Sequence, residues 1–126
     1  MPAYKIVIYL CGLYALGFAL FHTMFWKMFR WKDELSKLSQ VNRAIMQILN
    51  LRVIYVFLFI AVTCFIFPDD LHENNMGKAF LIAASLFWMG RLIEQFIFLN
   101  INHRSIHLLS FIFAIGIILF AIPLFI

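Results

Sequence analysis

Arg91, Glu94 and Gln95 stand inside the apolar stretch Lys78–Asn100 of a 126-residue chain, KAFLIAASLFWMGRLIEQFIFLN. A cation and an anion three residues apart on a helix can neutralise each other. With an amide beside them, the same groups can hold an anionic or amphipathic small molecule. A charge at bilayer depth costs at least ~2.5–3.5 kcal/mol, so such residues face something other than lipid. His22, Asn50, His107, Arg43 and Gln47 have the same character, polar groups in or beside apolar stretches. His103 and His107 are four apart, a spacing that can hold a metal. With no Cys or paired acid beside them, no metal is expected there. His22 and His107 could serve as axial haem ligands from two helices, but haem is not expected either. No Ser/His/Asp spacing, Gly-rich phosphate loop or paired-carboxylate motif is recognisable, so the sequence leaves open whether the chain is an enzyme.

The elements that carry these residues follow from composition. The chain is 65% hydrophobic, with a mean hydropathy of +0.97. A soluble domain is about 45–50% apolar, and the excess here fits a membrane protein. Four segments reach the length of about 20 apolar residues that a bilayer requires: 4–26, 39–67, 79–99 and 105–126. The expected fold is all-α, a single polytopic domain made as a bundle of four transmembrane helices. The first segment has a long apolar run, one early charge at Lys5 and no small-residue cleavage site, so it is expected to remain as an anchor. Ser36 and Ser39 precede apolar residues at helical spacing (Leu38, Val41, Ile45, Ile48), so the second helix should begin near Ser39 and project beyond the bilayer. Pro68-Asp69-Asp70 should end it. Asn102 or Ser105 should cap the fourth helix. Cys11 and Cys64, both in apolar segments, read as packed small residues. Cys11, Ala15 and Ala19, and likewise Ser110 and Ala114, recur every four positions, a spacing that suits close helix packing.

Positive residues set the expected orientation. Lys27, Arg30, Lys32, Lys37, Arg43, Arg52 and Arg104 lie on one side; Lys5 and Lys78 lie on the other. Seven against two places the basic connections in the cytoplasm and both termini outside, in an integral membrane protein of the bacterial inner membrane type. Trp26, Phe29 and Trp31 interleave with Lys27, Arg30 and Lys32. At a helix end this reads as an interfacial belt against anionic lipid rather than a nucleic-acid surface. The pI of 9.3 is explained in the same way.

Depth can be counted at ~1.5 Å per residue. Glu94 lies about five residues, ~8 Å, from the inner end of its segment. His22, Asn50 and His107 lie within a few residues of theirs. A 100° wheel puts Glu94 and Gln95 within about 60° on either side of Arg91. His22, Asn50, Arg91, Glu94, Gln95 and His107 are therefore expected to form one polar layer on the cytoplasmic side.

The pattern resembles the membrane-associated eicosanoid and glutathione metabolism (MAPEG) superfamily. That family has four spans and a polar cytoplasmic first loop, and its second helix opens Arg-Ala-His-x-Asn-x-x-Glu-Asn. Here Arg43 and Ala44 match, Gln47 stands for the Asn, Asn50 replaces the Glu, and Ile45 and Leu51 depart. The family's Arg-x-x-His-x-x-x-Tyr on the third helix is similar to Arg91-x-x-Glu94-x-x-x-Phe98, and Arg104-Ser105 before the fourth helix is also similar. The resemblance implies a trimer holding glutathione through these arginines and polar groups. The missing Tyr removes the donor for a thiolate.

The reading of best fit is a membrane protein that binds an amphipathic or anionic small molecule through Arg91, Glu94, Gln95, Asn50, Gln47, Arg43, His22 and His107, as a homo-oligomer and with no nucleic acid as partner. The alternatives are an accessory subunit of a membrane complex, with Arg91–Glu94 as assembly contact, and a proton or ion relay.

Overall fold

A computed structural model describes all 126 residues, and it is all-helical. The elements are α1 (Ala3–Thr23), α2 (Phe25–Met28), α3 (Trp31–Glu34) with a 3-10 turn at Leu35–Lys37, α4 (Gln40–Ile66), α5 (Pro68–Glu73), α6 (Asn75–Phe98) and α7 (Arg104–Ala121), which ends in a 3-10 turn at Ile122–Leu124. The stretches Ala3–Thr23, Gln40–Ile66, Asn75–Phe98 and Arg104–Leu124 are long and apolar enough to cross a membrane. By length and composition these four helices are compatible with an integral membrane protein. The chain divides into two compact units, Gly12–Thr63 and the remainder.

In Gly12–Thr63, α4 begins where Ser39 Oγ accepts a hydrogen bond from the Asn42 backbone N–H at 3.3 Å, which satisfies one orphan donor of the first turn. α4 runs 27 residues, or ~40 Å, longer than the ~30 Å hydrocarbon core. A ladder of rings fills this unit. Phe18 meets Phe57 at 5.8 Å between centroids, His22 meets Phe25 at 4.2 Å, and Phe25 meets Trp31 at 5.9 Å. The connection between α1 and α4 folds into α2 and α3. Trp31 and Leu35, at i, i+4, are both buried and anchor it. Arg30, between the two short helices, has φ 53°, ψ 47° and is the one non-glycine residue with positive φ. Crowding between Cβ and the following carbonyl oxygen makes that region unfavourable for an L-residue.

In the other unit, α6 and α7 form an antiparallel pair. Ser85 Oγ donates to the Ile117 carbonyl at 2.8 Å, Trp88 stacks on Phe113 at 5.7 Å, and Gln95 Nε2 donates to the Ile106 carbonyl at 3.4 Å. Residue numbers rise on α6 as they fall on α7, so these contacts fix both direction and register. α7 is capped by neither Asn102 nor Ser105. His103 Nδ1 accepts from the Ser105 backbone N–H at 3.1 Å, because His103 is the residue left extended (φ −137°, ψ 144°) in the N-cap position. Cys11 and Cys64 are buried and free, and the Cys11 thiol donates to the Leu119 carbonyl at 3.4 Å.

Pro68 ends α4 by lacking an N–H, and opens α5 at the position where that lack costs nothing. The acidic stretch that follows is thus a short helix rather than a loop. α6 begins at Asn75, four residues before the apolar run that marked its expected start. Here close packing on α5 extends the helix through polar sequence. A Cβ on Gly77 would collide with the Asp70 carbonyl oxygen and the Leu71 backbone, whereas one on Gly17 would meet nothing within 4 Å. Near α5 the Tyr4 hydroxyl donates to Asp69 Oδ1 at 2.7 Å, Lys5 Nζ donates to Oδ2 at 3.3 Å, and the Tyr4 ring stacks on His72 at 3.7 Å.

Gly77→Ala should therefore lower the melting temperature in detergent by several degrees, the size of an overpacking penalty of about 1–3 kcal/mol. Gly17→Ala should leave it equal or higher, since alanine is the better helix former. Equal behaviour of the two variants would contradict the close approach of α5 and α6. A second expectation concerns acid. The Tyr4 hydroxyl, and after it Lys5, hold the Asp69 carboxyl below its ordinary value of 3.8. A carboxyl lowered in the folded state contributes stability that is full above about 3.8 and is lost as pH falls through the lowered value. Melting curves between pH 6 and pH 3 should show a smaller acid-side loss for Asp69→Asn than for the unchanged chain; an identical loss would remove Asp69 from the account.

Candidate functional site

The residues singled out by sequence fall into two local groups. His22, Arg43, Gln47 and Asn50 belong to Gly12–Thr63, whereas Arg91, Glu94, Gln95 and His107 belong to the other unit. In the first group Asn50 is 6% exposed and bridges two atoms of one residue. Its Oδ1 lies 2.8 Å from His22 Nδ1, and its Nδ2 donates to the His22 carbonyl at 2.9 Å. An amide in this position serves as both acceptor and donor, so it fixes the Nδ1–H tautomer of His22 and ties α1 to α4.

One turn towards the start of α4, Gln47 is held at both ends of its amide. Its Oε1 accepts from Trp26 Nε1 at 3.0 Å, and its Nε2 donates to the Arg43 carbonyl at 3.2 Å. Trp26 therefore cannot swing, and it meets Trp31 edge to face at 5.2 Å. Trp31 is only 8% exposed. It is a packed wall, not a ring lying free in an interfacial belt. The left-handed turn at Arg30 is what brings α3 back beside α2 and α4. The result is a cleft of about 230 Å³, lined by the two indoles, Leu35, Ser36, Gln47, Lys32 and Arg43.

The charges around this cleft are unequal. The two acids of the segment are already engaged: Asp33 lies 3.6 Å from Arg30, and Glu34 lies 3.5 Å from Lys37. Lys32 and Arg43 make no ion pair. Two cations without a counter-charge beside two rigid aromatic faces form a place for an anion that also carries an apolar or planar part.

In the second group, the three neighbours on α6 are separated by burial. Gln95 is 1% exposed, Arg91 is half-buried, and Glu94 is exposed. The Arg91 guanidinium lies over the Phe113 ring, 4.6 Å from its centroid, a cation–π contact that stands where the sequence suggested an ion pair. Arg91 and Glu94 form no salt bridge; the ion pairs of the chain are Lys5–Asp69, Arg30–Asp33 and Lys37–Glu34. Gln95 Nε2 reaches Ile106, while its buried Oε1 has no hydrogen-bond partner. His107 Nε2 is 2.8 Å from Asn102 Oδ1. With His103 Nδ1 engaged at the α7 cap, the two histidines that suggested a metal pair are each tied to a different neighbour.

Sequence reasoning missed Trp26, Trp31, Lys32 and Ser36 as site residues. The signal available was the interleaving of aromatics and cations from Trp26 to Lys32; what hid the site was the fold of that segment into two short helices. No protein-family model, curated protein or solved structure matches this chain.

Asn50→Leu should destabilise the protein by about 1–2 kcal/mol, because it removes both hydrogen bonds of the part-buried contact between Asn50 and His22. Thermal unfolding in detergent reads the effect. An unchanged midpoint would mean that the His22–Asn50 bridge contributes nothing to holding α1 on α4.

Proposed function

We propose that this chain is an integral membrane protein that binds an anionic, amphipathic small molecule in the cleft walled by Trp26 and Trp31, with its basic connections in the cytoplasm and both termini outside. The observation that carries this reading is the pair of uncompensated cations, Lys32 and Arg43, set beside two immobilised indoles around a volume of about 230 Å³. Arg43 supplies a planar fork that matches a carboxylate or phosphate, and Lys32 supplies a point charge. The indole faces take the apolar part. Gln47 positions Trp26 and is spent in doing so. The excess of cations on this side supports the sidedness through the rule that basic loops stay cytoplasmic.

The site thus centres on Arg43 and Gln47 among the residues first singled out, with Asn50 and His22 holding the helices below them. Glutathione, the ligand implied by the resemblance of the Arg43–Leu51 stretch, belongs to the right charge class. So do the headgroups of anionic lipids. The cleft contains no nucleophile paired with a base, and the reading is one of binding.

Titration of the detergent-solubilised protein with dodecyl phosphate and with glutathione, followed by tryptophan fluorescence, tests the proposal. At least one should change the emission saturably. Loss of a charge-assisted hydrogen bond is worth about 1.5–3 kcal/mol, so Arg43→Ala should weaken that ligand by roughly tenfold or more. Flat titrations for both ligands, or equal affinity in Arg43→Ala, would refute it.

A further inference from the structure

α6 has two faces. Leu81, Ala84, Ser85, Trp88 and Gln95 are buried, and at about 100° per residue they cluster on one side. The other side carries Ala83, Leu86, Phe87, Gly90, Glu94 and Ile97, all exposed except the half-buried Gly90. A Cβ on Gly90 would meet nothing within 4 Å, so this chain makes no use of the notch. Glycine inside a helix is unfavourable relative to alanine. Among membrane helices its use is to let a second helix approach closely. One turn further, Glu94 is exposed and makes no ion pair, and Arg91 beside it has a ring but no carboxylate.

We propose that this face of α6 meets the same face of a second copy of the chain, crossing at Gly90, with the Glu94 carboxylate of each copy bonded to the guanidinium of the partner's Arg91. Charge complementarity selects the occupant. The face carries the Glu94 carboxylate, with the half-buried Arg91 guanidinium at its edge, so a copy of itself satisfies both charges at once, whereas an unrelated helix would have to present both in the opposite arrangement. Two copies inserted the same way are related by rotation about the membrane normal, which keeps like residues at equal depth. Arg91 and Glu94 then differ by ~4.5 Å of rise, within reach of both side chains. Gly90, Arg91 and Glu94 fall within an arc of about 100°, so all three can face the partner in a close crossing. The two carboxylates and two guanidiniums alternate in a ring of zero net charge, each bond charge-assisted. The pairing does not rest on the tryptophan cleft.

The test uses the full chain in lipid nanodiscs and bilayers, with oligomeric state read by co-purification of two differently tagged copies and folding read by circular dichroism. The unchanged chain should pair with itself. Gly90→Leu should abolish pairing while keeping its helicity, since its own chain leaves that space open. Copies carrying R91E present only anions on this face, and copies carrying E94R only cations; each alone should pair at least ~10-fold more weakly, the scale of a lost charge-assisted bond. Mixed together, the two variants should pair with each other. A monomeric unchanged chain, with or without a different protein bound to it, would overturn the proposal. So would pairing that survives Gly90→Leu, or a mixture that pairs no better than its parts.

Discussion

A polar group carried into lipid on an apolar helix has to be met by another group of the protein, because no water is there to meet it. That constraint organises the contacts between the helices. Ser85 reaches the Ile117 carbonyl, Gln95 reaches the Ile106 carbonyl, the Cys11 thiol reaches the Leu119 carbonyl, and Asn50 reaches both ends of His22. Apolar side chains against apolar lipid carry little positional information. A handful of hydrogen bonds therefore sets the register of α6 on α7, and of α1 on α4, which the greasy surfaces alone leave free to slide. The Ile106 carbonyl accepts from the side chains of Gln95 on α6 and Ser110 on its own helix, so one backbone oxygen near the start of α7 serves two side-chain donors.

The same constraint explains what could be read from the amino acids. Apolar length is a direct consequence of bilayer thickness, and the four long helices were legible within a few residues at each end. Pro68 and Ser39 acted where their chemistry dictates. The ends were misplaced where packing, not composition, extends a helix: Asn75, Gly77 and Lys78 are polar or small, yet they are helical because Gly77 lets α6 lie against α5. The cap of α7 went to His103 rather than to the better-known cap formers beside it, a choice made by backbone conformation that no composition rule sees.

The candidate site was legible in part. Arg43, Gln47, Asn50 and His22 were recognisable as polar groups in apolar surroundings, and the structure shows each of the last three in a specific bond. Their assembly with Trp26, Trp31 and Lys32 was hidden because those residues are brought to α4 by a reversal of the chain, and wheel or depth arguments do not extend through a reversal. Arg91, Glu94 and Gln95 were grouped by a wheel that treats 60° as proximity. On a helix half-wrapped by neighbours, the step of about 100° from Gln95 to Glu94 spans the whole range from buried to exposed.

The reversal itself rests on Arg30. Its left-handed backbone is a conformation that glycine adopts freely and arginine does not, and its side chain pairs with Asp33 at 3.6 Å. Bend and charge are therefore written in one residue. Glycine would relax the backbone but release a carboxylate beside the cleft; lysine would keep the charge and inherit the backbone penalty. Sequence drift at this position is caught between two opposed demands, one conformational and one electrostatic, and no single replacement improves both.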